Sequence, residues 1–423
     1  MAEIAAPRGT HDILPAESAA WRWLLETHRS VAESFGYRYV ETPIFESTEL
    51  FARGVGAETD IVEKQMFTFT DRGDRSLSLR PESTAGVVRA LVGARLEQER
   101  RPVRVHYQGP MFRAERPQAG RQHQFTQVGV ECTGERSPEL DAEAIEIAWR
   151  FFESLQLTGV RLQVNTLGDA EDRRRYRDAL VAYYTPFRER LCDDCKRRLD
   201  INPLRLLDCK KDSDLVAGAP VIWDLLDAGS KAYFNAVLAS LDAAGVTANI
   251  NHRVVRGLDY YADTVFEFWH DSLHGAQNSL GGGGRYDGLA ELLGLTPTPG
   301  TGYALGVERI LMVARRLGVA PGPGTDCDVL VCSVETPQAQ LAASAARTLR
   351  AAGARVVLDI SERRLDRKLR SADRLGARVA VIVGEDEVRD SSAVVRDLDA
   401  HAQRRVPSSG LASAVFHVLG VGA

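Results

Sequence analysis

The sequence PGPG at positions 321–324 is the feature that most constrains the fold of this chain. Proline lacks a backbone N–H and fixes φ, and glycine destabilises regular structure, so this tetrapeptide cannot lie within a helix or a central strand. The chain has 423 residues, which is too many for a single hydrophobic core. The tetrapeptide therefore predicts a boundary between a large N-terminal region and a small C-terminal one.

A different pattern begins after this boundary. Short apolar runs alternate with longer amphipathic segments, which predicts a parallel-type α/β domain of roughly 100 residues that we place at 326–423. Residues 1–322 then form the larger domain, and the charged stretch 171–250 is predicted to be a helical insertion within it. The elements predicted after the boundary are strands at 328–332, 355–358 and 378–383 and helices at 336–352 and 362–375.

Composition narrows the function classes. Apolar residues make up 44% of the chain and charged residues 26%, which is ordinary for a globular protein and excludes a disordered one. Acidic residues (58) outnumber Lys and Arg (53), so any basic surface for nucleic acid must be local. No run approaches the roughly 18 apolar residues of a membrane span, and the N-terminus lacks the pattern of a secretory signal. The lack of such a run predicts no membrane partner. The six scattered cysteines predict reduced thiols in a cytoplasmic protein.

Residues 103–133 predict two strands joined by the polar loop RPQAGR (116–121). Alternate side chains of a strand point to opposite faces. On the return strand, one face carries Phe125, Gln127 and Glu131, while the intervening positions are mostly apolar. We therefore expect the apolar set to pack into a core and the polar set to lie on an open face.

The polar face has a composition that suits a nucleotide. Arg113 on the outgoing strand and Arg121 in the loop carry guanidinium groups that match phosphate oxygens. Phe125 offers a stacking surface for a base, and Glu115 can hold an amine. Arg309 follows the glycine-rich entry GYALG and adds a further cation. Taken singly, each of these residues is also compatible with a solvated face that has no function, and Arg309 by itself favours a surface position.

Three cysteines lie close together in the predicted insertion. Cys192 and Cys195 form a C-x-x-C pair, and Cys209 follows. A structural zinc site normally needs a fourth ligand, and the immediate sequence offers no further Cys or His. Reduced structural thiols are therefore the favoured interpretation, and no protein ligand to a metal is assigned.

Five segments together resemble one family. The FRAERPQAGRQHQF segment resembles the second signature motif of class II aminoacyl-tRNA synthetases, GYALGVERI resembles the third, and the others resemble segments of histidyl-tRNA synthetases. Five motifs in the right order over nearly the whole chain are specific. In chain order they are RGTHDILP (8–15), LRPESTAGVVR (79–89), FRAERPQAGRQHQF (112–125), RGLDYY with GGGGRYDGL (256–261 and 281–289), and GYALGVERI (302–310).

The resemblance to histidyl-tRNA synthetases implies a fold and a reaction. The implied fold is a class II catalytic domain, an antiparallel sheet of six or seven strands flanked by helices, with a helical insertion and a C-terminal α/β anticodon-binding domain. The implied reaction is activation of L-histidine with ATP to histidyl-adenylate and pyrophosphate, followed by transfer of histidine to the 3′ end of tRNA(His). Mg²⁺ would bridge the phosphates. The family also implies a homodimer, formed through the helix and strand at about 16–45.

The resemblance also implies roles for individual residues. Arg113 and the family-specific Arg256 match catalytic residues at the α-phosphate, and both also border the histidine. Arg116 and Gln118 match the loop that meets the acceptor end of the tRNA. The ATP-binding set comprises Arg113, Glu115, Arg121, Phe125 and Arg309, and the histidine-binding set comprises Glu82, Thr84, Arg113, Gln127, Glu131, Arg256, Tyr260 and Tyr261.

A catalytically silent relative is the alternative. The same fold occurs in a regulatory subunit of histidine biosynthesis and in a tRNA-sensing module, which would bind histidine or tRNA without activating the amino acid. Such relatives tend to lose the motif arginines and RGLDYY, and the regulatory subunit lacks the C-terminal domain. This chain keeps Arg113, Arg256 and Arg309 and carries residues 326–423, which favours the enzyme.

Overall fold

The computed structural model of the chain describes residues 4–56, 59, 61–115, 121–209, 211–255, 258, 260–273, 278–325 and 327–420. The chain divides into two compact units, the first comprising Met1–Leu14 and Ala20–Pro321 and the second Pro15–Ala19 and Gly322–Ala423. Three residues singled out above, Arg116, Gln118 and Arg256, lie outside the described residues. None of the described helices combines the length and the apolar character needed to cross a membrane.

The elements up to residue 317 alternate between strands and helices. The strands are β1 (Arg38–Tyr39), β2 (Phe45–Ser47), β3 (Thr68–Thr70), β4 (Ser76–Leu79), β5 (Val103–Phe112), β6 (Gln124–Thr133), β7 (Val160–Thr166), β8 (Ala248–Ile250), β9 (Ala262–His270), β10 (Ser279–Arg285) and β11 (Gly300–Gly306). The helices are α1 (Pro15–Ser34), α2 (Thr48–Phe51), α3 (Thr84–Gly93), α4 (Leu96–Glu99), α5 (Pro138–Ser154), α6 (Ala170–Tyr184), α7 (Asp193–Ile201), α8 (Ser213–Ala217), α9 (Ala228–Ala243), α10 (Leu289–Leu292) and α11 (Val307–Leu317).

The large sheet has eight strands in the order β1-β5-β6-β11-β10-β9-β7-β8. Its six central strands are antiparallel, as the sequence predicts. At the two edges, β1 pairs in parallel with β5 and β8 pairs in parallel with β7, so the sheet is mixed and exceeds the expected six or seven strands. These edge strands are only two and three residues long, too short to carry a periodic pattern in the sequence. A small second sheet has the order β2-β4-β3.

Strands β5 and β6 form the predicted hairpin. Met111 lies opposite Phe125 in its register. Val128, Val130 and Cys132 are fully buried and belong to the main hydrophobic core, together with residues of α1 and α5. The division of faces is therefore confirmed, and the opposite face of β6 is the polar one.

Strand β10 consists largely of glycine because its neighbours approach closely. Glycines fill positions 281–284 between β9 and β11. A Cβ atom at Gly283 would collide with the backbone of Gly302, and one at Gly302 would collide with the Glu131 carboxylate. Glycine is required at both positions, since any side chain would displace the strand or the buried carboxylate.

A buried ion pair fixes the end of β10 to α5. Arg285 Nη2 lies 2.6 Å from Asp141 Oδ1, and both side chains are fully buried. Thr264 Oγ1, on β9, donates to Asp141 Oδ2 at 2.7 Å. Removing one partner of such a pair costs about 3–5 kcal/mol because a charge is left buried without compensation. The Arg285 of the GGGGRYDGL segment therefore positions the strands that border the polar face.

The stretch 171–250 is mainly helical, as the sequence predicts, with α6 to α9 joined by 3₁₀ turns. Its apolar side chains do not form a separate core. Those of α6 to α8 belong to one buried cluster with Tyr260 and Tyr261, which precede β9 in the chain, whereas those of α9 belong to the main core. The members contributed by the helical stretch include Leu180, Leu191, Leu199, Leu206, Leu215 and Ile222.

The second unit combines a parallel and an antiparallel part. Its sheet has the order β13-β12-β14-β15-β16, in which β12, β13 and β14 are parallel, as predicted, and β15 and β16 add antiparallel pairs. The last two strands were not predicted, because α14 is only five residues long, too short to show a helical period, and β16 follows β15 without an intervening helix. Its elements are β12 (Val329–Ser333), α12 (Ala339–Ala351), β13 (Val356–Asp359), α13 (Leu365–Leu375), β14 (Val379–Val383), α14 (Glu385–Arg389), β15 (Ser392–Asp397), β16 (Gln403–Pro407) and α15 (Leu411–Leu419).

Candidate active site

A cleft of about 990 Å³ opens on the polar face of β6 in the first unit. It collects predicted site residues from distant parts of the chain: the start of α3, the β5–β6 hairpin, the segment before β9, and α11. Glu131 is not among the residues that line it, but it bonds to one of them, Thr84. The predicted residues that line the cleft are Glu82, Thr84, Arg113, Glu115, Arg121, Phe125, Gln127, Tyr260, Tyr261 and Arg309.

One end of the cleft is built around Glu115. Its Oε2 accepts a hydrogen bond from Arg121 Nη1 at 2.9 Å, and its Oε1 lies 3.9 Å from Arg113 Nη1. Arg113 also donates from Nε to Pro81 O at 2.9 Å, and its guanidinium carbon lies 5.2 Å from the centre of the Phe125 ring. The carboxylate and the ring therefore hold Arg113 in one orientation, which a forked donor needs to grip an anion.

Arg309 adds a third guanidinium group to this end. It lies in the first turn of α11 and donates from Nη1 to Ser279 O at 2.6 Å. Burial lowers the pKa of Arg309, and the nearby charges of Arg121 and Arg113 lower it further. Burial likewise lowers the pKa of Arg113. An anion in the cleft would relieve this desolvation and repulsion, so the three guanidinium groups are chemically suited to phosphate groups.

The opposite end is organised by Glu131. Its side chain is fully buried, and its oxygens accept hydrogen bonds from Thr84 Oγ1 (2.7 Å) and from the Tyr286 hydroxyl. Burial raises the pKa of Glu131 to about 8, although these hydrogen bonds oppose the shift. Such a group can accept or donate a hydrogen bond near neutral pH, which suits it to an imidazole ring. No role for Tyr286 followed from the sequence, although it lies within GGGGRYDGL directly after the glycine strand.

Glu82 supports the helix that presents Thr84. Its carboxylate accepts hydrogen bonds from the backbone N–H groups of Thr84 (2.6 Å) and Ala85 (3.0 Å) at the start of α3. Carboxylates are stabilising at this end of a helix because the backbone donors there are otherwise unpaired. Burial raises the pKa of Glu82, and the backbone hydrogen bonds partly offset the shift. Glu82 thus both lines the cleft and fixes its neighbour.

Gln127 and the two tyrosines complete this end. Gln127 lines the cleft, and within the part of the chain that the structure describes its buried Oε1 accepts no hydrogen bond. A buried acceptor without a partner is costly, so this atom marks a position where a ligand donor would be stabilised. Tyr260 and Tyr261 lie with ring centres 4.6 Å apart and close one wall.

Another carboxyl group of the cleft, Glu308, had no role predicted from the sequence. It precedes Arg309 and accepts a hydrogen bond from the backbone N–H of Thr126 at 2.7 Å. Burial raises the pKa of Glu308 to about 7. Glu308 therefore connects the start of α11 to β6. Its position next to Arg309 in the segment GYALGVERI was the sequence feature that could have indicated a place in the cleft.

Comparisons with known proteins identify the family. The family model described as Histidyl-tRNA synthetase matches residues 9–170 and 211–310, and the model described as Anticodon binding domain matches residues 327–415. The chain is 44% identical over 418 residues to the histidine–tRNA ligase of Geobacillus kaustophilus (strain HTA426), covering 98% of each chain. It is 47% identical over 403 residues to that of Moorella thermoacetica (strain ATCC 39073 / JCM 9320), covering 95% of each.

A solved structure gives the same result. The crystal structure of apo S. aureus histidyl-tRNA synthetase superposes with a TM-score of 0.84 at 34% sequence identity, covering 98% of this chain and 100% of that one. The class II fold predicted from the sequence, with its C-terminal anticodon-binding domain, is thereby confirmed. Family match, full-length identity and fold agree: the chain belongs to the histidyl-tRNA synthetase family of aminoacyl-tRNA ligases.

Proposed function

We propose that the cleft carries out both steps of the histidine–tRNA ligase reaction. In the first step, a carboxylate oxygen of L-histidine forms a bond to the α-phosphorus of ATP while the bond to the leaving pyrophosphate breaks. In the second step, a ribose hydroxyl at the 3′ end of tRNA(His) attacks the acyl carbon of histidyl-adenylate and AMP leaves. The observation that carries the proposal is the convergence of three guanidinium groups beside a buried carboxyl site in a single cleft.

The cationic end is the proposed ATP site. The first step brings the negative charges of a carboxylate and a phosphate together, so catalysis depends on positioning and on neutralisation of charge. In this proposal Arg113 would hold the α-phosphate, Phe125 would stack on the adenine, and Glu115 would face the adenine amino group. Arg121 and Arg309 would hold the β- and γ-phosphates. The contacts that support this set are the Glu115–Arg121 ion pair and the packing of Arg113 against the Phe125 ring.

The Glu131 end is the proposed histidine site. Glu131 and Tyr261 would read the two imidazole nitrogens, while Glu82, Thr84 and Gln127 would bind the α-amino group. Tyr260 would line the same pocket. A site of buried polar groups rejects amino acids that leave those groups unpaired, which provides selectivity without a separate editing step. The unpaired Oε1 of Gln127 supports this assignment.

Three further roles concern residues outside the described part of the chain. Arg256 is proposed to contact the α-phosphate and the carboxylate of histidine as a second catalytic arginine. Arg116 and Gln118 are proposed to contact the acceptor end of the tRNA, where an arginine and an amide are suitable readers of base edges. All three assignments rest on the match of their motifs to the family.

Mg²⁺ is proposed as the metal that accompanies ATP. It prefers oxygen ligands and usually takes most of them from phosphates and water. Besides Glu115 and Glu82, which have roles above, the cleft is lined by the carboxyl groups of Glu267 and Glu308, so its donor set is compatible with such an ion. When bound, Mg²⁺ would neutralise phosphate charge, and these two residues would supply its protein ligands.

Domain roles and assembly are also proposed. Residues 1–322 would form the catalytic domain, with 171–250 as its insertion, and 326–423 would bind the anticodon of tRNA(His). The match of residues 327–415 to an anticodon-binding family supports the last role. Tyr39, Ile44 and Phe45 expose 51%, 42% and 52% of their surface, which supports a homodimer through the segment 16–45. The family reaction and the reduced cysteines favour a cytoplasmic location.

Histidine-dependent exchange of pyrophosphate into ATP tests the proposal. We expect exchange that requires L-histidine, and charging of tRNA(His) in a second assay. The alternative, a silent relative that only binds histidine or tRNA, would bind L-histidine by calorimetry but show no exchange. The presence of Arg113 and Arg309 in the cleft favours the enzyme over this alternative.

A further inference from the structure

The helical insertion brings four metal-binding side chains together. Cys192 lies just before α7, Cys195 lies within it, Cys209 follows the 3₁₀ turn at 203–208, and Asp212 precedes α8. One ligand atom from each residue lies within 4.8 Å of the other three. The fourth member is an aspartate, which is why a search of the sequence for a further Cys or His missed it.

The spacing of these residues has the form of two matched pairs. Cys192 and Cys195 are separated by two residues, and so are Cys209 and Asp212. The sequence is therefore C-x-x-C followed by C-x-x-D, which differs by one ligand from the paired pattern typical of structural zinc sites. The first pair lies at the start of α7 and the second pair follows the 3₁₀ turn at 203–208, so the two pairs can enclose an ion between them.

Two of the distances between ligand atoms match those of a tetrahedral zinc site. With Zn–S bonds of about 2.3 Å and a Zn–O bond of about 2.0 Å, a tetrahedral site places two sulfurs about 3.8 Å apart and a sulfur and an oxygen about 3.5 Å apart. Cys192 Sγ lies 3.8 Å from Cys209 Sγ, and Cys209 Sγ lies 3.6 Å from Asp212 Oδ2. A disulfide between Cys192 and Cys209 is absent, since its sulfurs would lie about 2.05 Å apart.

Burial and orientation point the same way. Cys195 is fully buried and Asp212 is 7% exposed, so this carboxylate is removed from water among thiols, which are poor hydrogen-bond donors. The backbone N–H of Cys192 donates to the Asp212 carboxylate at 3.2 Å and fixes its orientation. Such an outer hydrogen bond is typical of carboxylates that bind metals. A cation among the four groups would compensate the buried charge.

We propose that Cys192, Cys195, Cys209 and Asp212 bind one Zn²⁺ ion in a closed, structural site. Thiolates favour zinc over magnesium or calcium, and four protein ligands leave no position open for catalysis. Lys196 and Lys211 stand next to two of the ligands in the sequence and would offset part of the negative charge of three thiolates and a carboxylate.

The site would connect the insertion to the cleft. The cleft is lined by one of the ligands, Cys209, and by three residues near the second ligand pair in the chain, Leu207, Ser213 and Val216. The ion would join this segment to α7 and so hold one wall of the cleft in place. This role does not depend on the reaction proposed above, because it requires only that the insertion keep its shape.

Metal analysis of the untagged full-length protein tests the site. We expect about one zinc per chain after purification without chelator and removal of loose metal. Replacement of zinc by Co²⁺ alone should give the visible absorption of tetrahedral cobalt together with a thiolate-to-cobalt charge-transfer band. Less than about a tenth of one zinc per chain, together with no such cobalt spectrum, would overturn the proposal. So would a count of four free thiols in denaturant instead of six, because it would reveal a disulfide.

Two variants and one control separate the site from general damage. Cys195→Ser and Asp212→Asn should each weaken Co²⁺ binding by more than about tenfold, a loss that even outer-shell changes can cause. Cys332→Ser, which replaces a buried thiol of the second unit, should bind Co²⁺ like the unaltered protein. Removing zinc from the unaltered protein with a chelator should lower its unfolding temperature, and added Zn²⁺ should restore it. An unchanged cobalt affinity in both variants, or an unchanged unfolding temperature after complete metal removal, would contradict the assignment.

Discussion

The two ends of the cleft handle charge in opposite ways. At the proposed ATP end, Arg121 keeps 39% of its side chain exposed and Arg113 keeps 22%, and an acidic residue lies between them. At the proposed histidine end, Glu131 is fully buried and is held by two hydroxyl groups. The first end carries an excess of positive charge that an anion would relieve. The second end keeps one carboxyl group out of water with its hydrogen bonds satisfied.

This difference shows how one sheet face can serve two substrates. A site that must stabilise developing charge benefits from several fixed cations, whereas a site that must select one ring benefits from a few buried groups. If the comparison is right, substitutions at the two ends should affect different kinetic constants.

Arg113→Ala should have the largest effect. We expect kcat for histidine-dependent ATP–pyrophosphate exchange to fall by about 10²- to 10³-fold, because the cation that neutralises the reacting phosphate is lost. The KM values should change by less than about tenfold, since an interaction made mainly in the transition state appears in kcat.

The matched control for this variant is Arg161→Ala, which removes an exposed arginine of the same sheet that pairs with Asp271 outside the cleft. It should retain normal exchange. A normal kcat in Arg113→Ala would contradict the proposed role of the cationic end.

Glu131→Gln should act on the other substrate. The substitution keeps the size of the side chain but replaces the ionisable carboxyl group with an amide, which cannot take up or give up a proton shared with the imidazole ring. This loss should raise KM for histidine roughly 10- to 100-fold. KM for ATP should stay within about twofold of normal, since the cationic end is unchanged. Glu143→Gln, a half-buried carboxylate that pairs with Arg104, serves as the control. Equal changes in KM for histidine and KM for ATP would contradict the proposal that the two ends bind different substrates independently.

Arg309→Ala should have a smaller effect at the ATP end. We expect KM for ATP to rise about tenfold, equivalent to about 1.4 kcal/mol, because one of three cations is removed and the other two remain. Arg315→Ala on the exposed side of the same helix controls for loss of helix stability. Measurement of the exchange rate at increasing ATP concentration and saturating histidine gives KM for ATP. A change in KM for histidine without a change in KM for ATP would contradict the assignment of Arg309 to the ATP end.

The sequence predicted the cationic end more fully than the buried one. Alternation along β6 was enough to put Phe125 and Gln127 on the polar face, because alternation along a strand is a local property. Arg113 and Glu115 were expected on the outgoing strand, but they follow the end of β5 and reach the cleft from an irregular segment. The contacts of Glu131 are not local, since Thr84 and Tyr286 lie 47 and 155 residues away. Burial of a carboxyl group also depends on three-dimensional packing, so neither its raised pKa nor the role of Tyr286 could follow from the pattern.

The fold shows the same limit. The hairpin, the helical insertion and the parallel part of the second unit follow from periodic patterns, and all three are observed. Strands β1 and β8 are too short to show a period, and the glycine strand β10 carries no side-chain signal at four of its seven positions. The aspartate of the cysteine cluster shows that a ligand can be overlooked when a motif is defined too narrowly.

The last prediction concerns stability and needs only the unliganded protein. The pKa of Glu131 is raised from 4.5 to about 8 in the folded state, so the folded protein binds a proton that the unfolded chain has already lost near neutral pH. Stability should therefore fall as pH rises from 6.5 to 8, by at most about 1.4 kcal/mol per pH unit for this one group. The raised pKa of Glu308, about 7, acts in the same direction, whereas His28, with its pKa lowered to about 3, contributes only below pH 6.5.

Urea unfolding followed by tryptophan fluorescence measures this slope in the first unit alone, because all five tryptophans precede residue 321. Glu131→Gln removes the ionisable group, so it should reduce the slope between pH 6.5 and 8, and Glu308→Gln should reduce it further. Glu143→Gln should leave the slope unchanged. If Glu131→Gln kept the full slope, the buried carboxyl group would already be ionised in the empty cleft. The proposed difference between a buried, protonated carboxyl group at the histidine end and exposed cations at the ATP end would then be wrong.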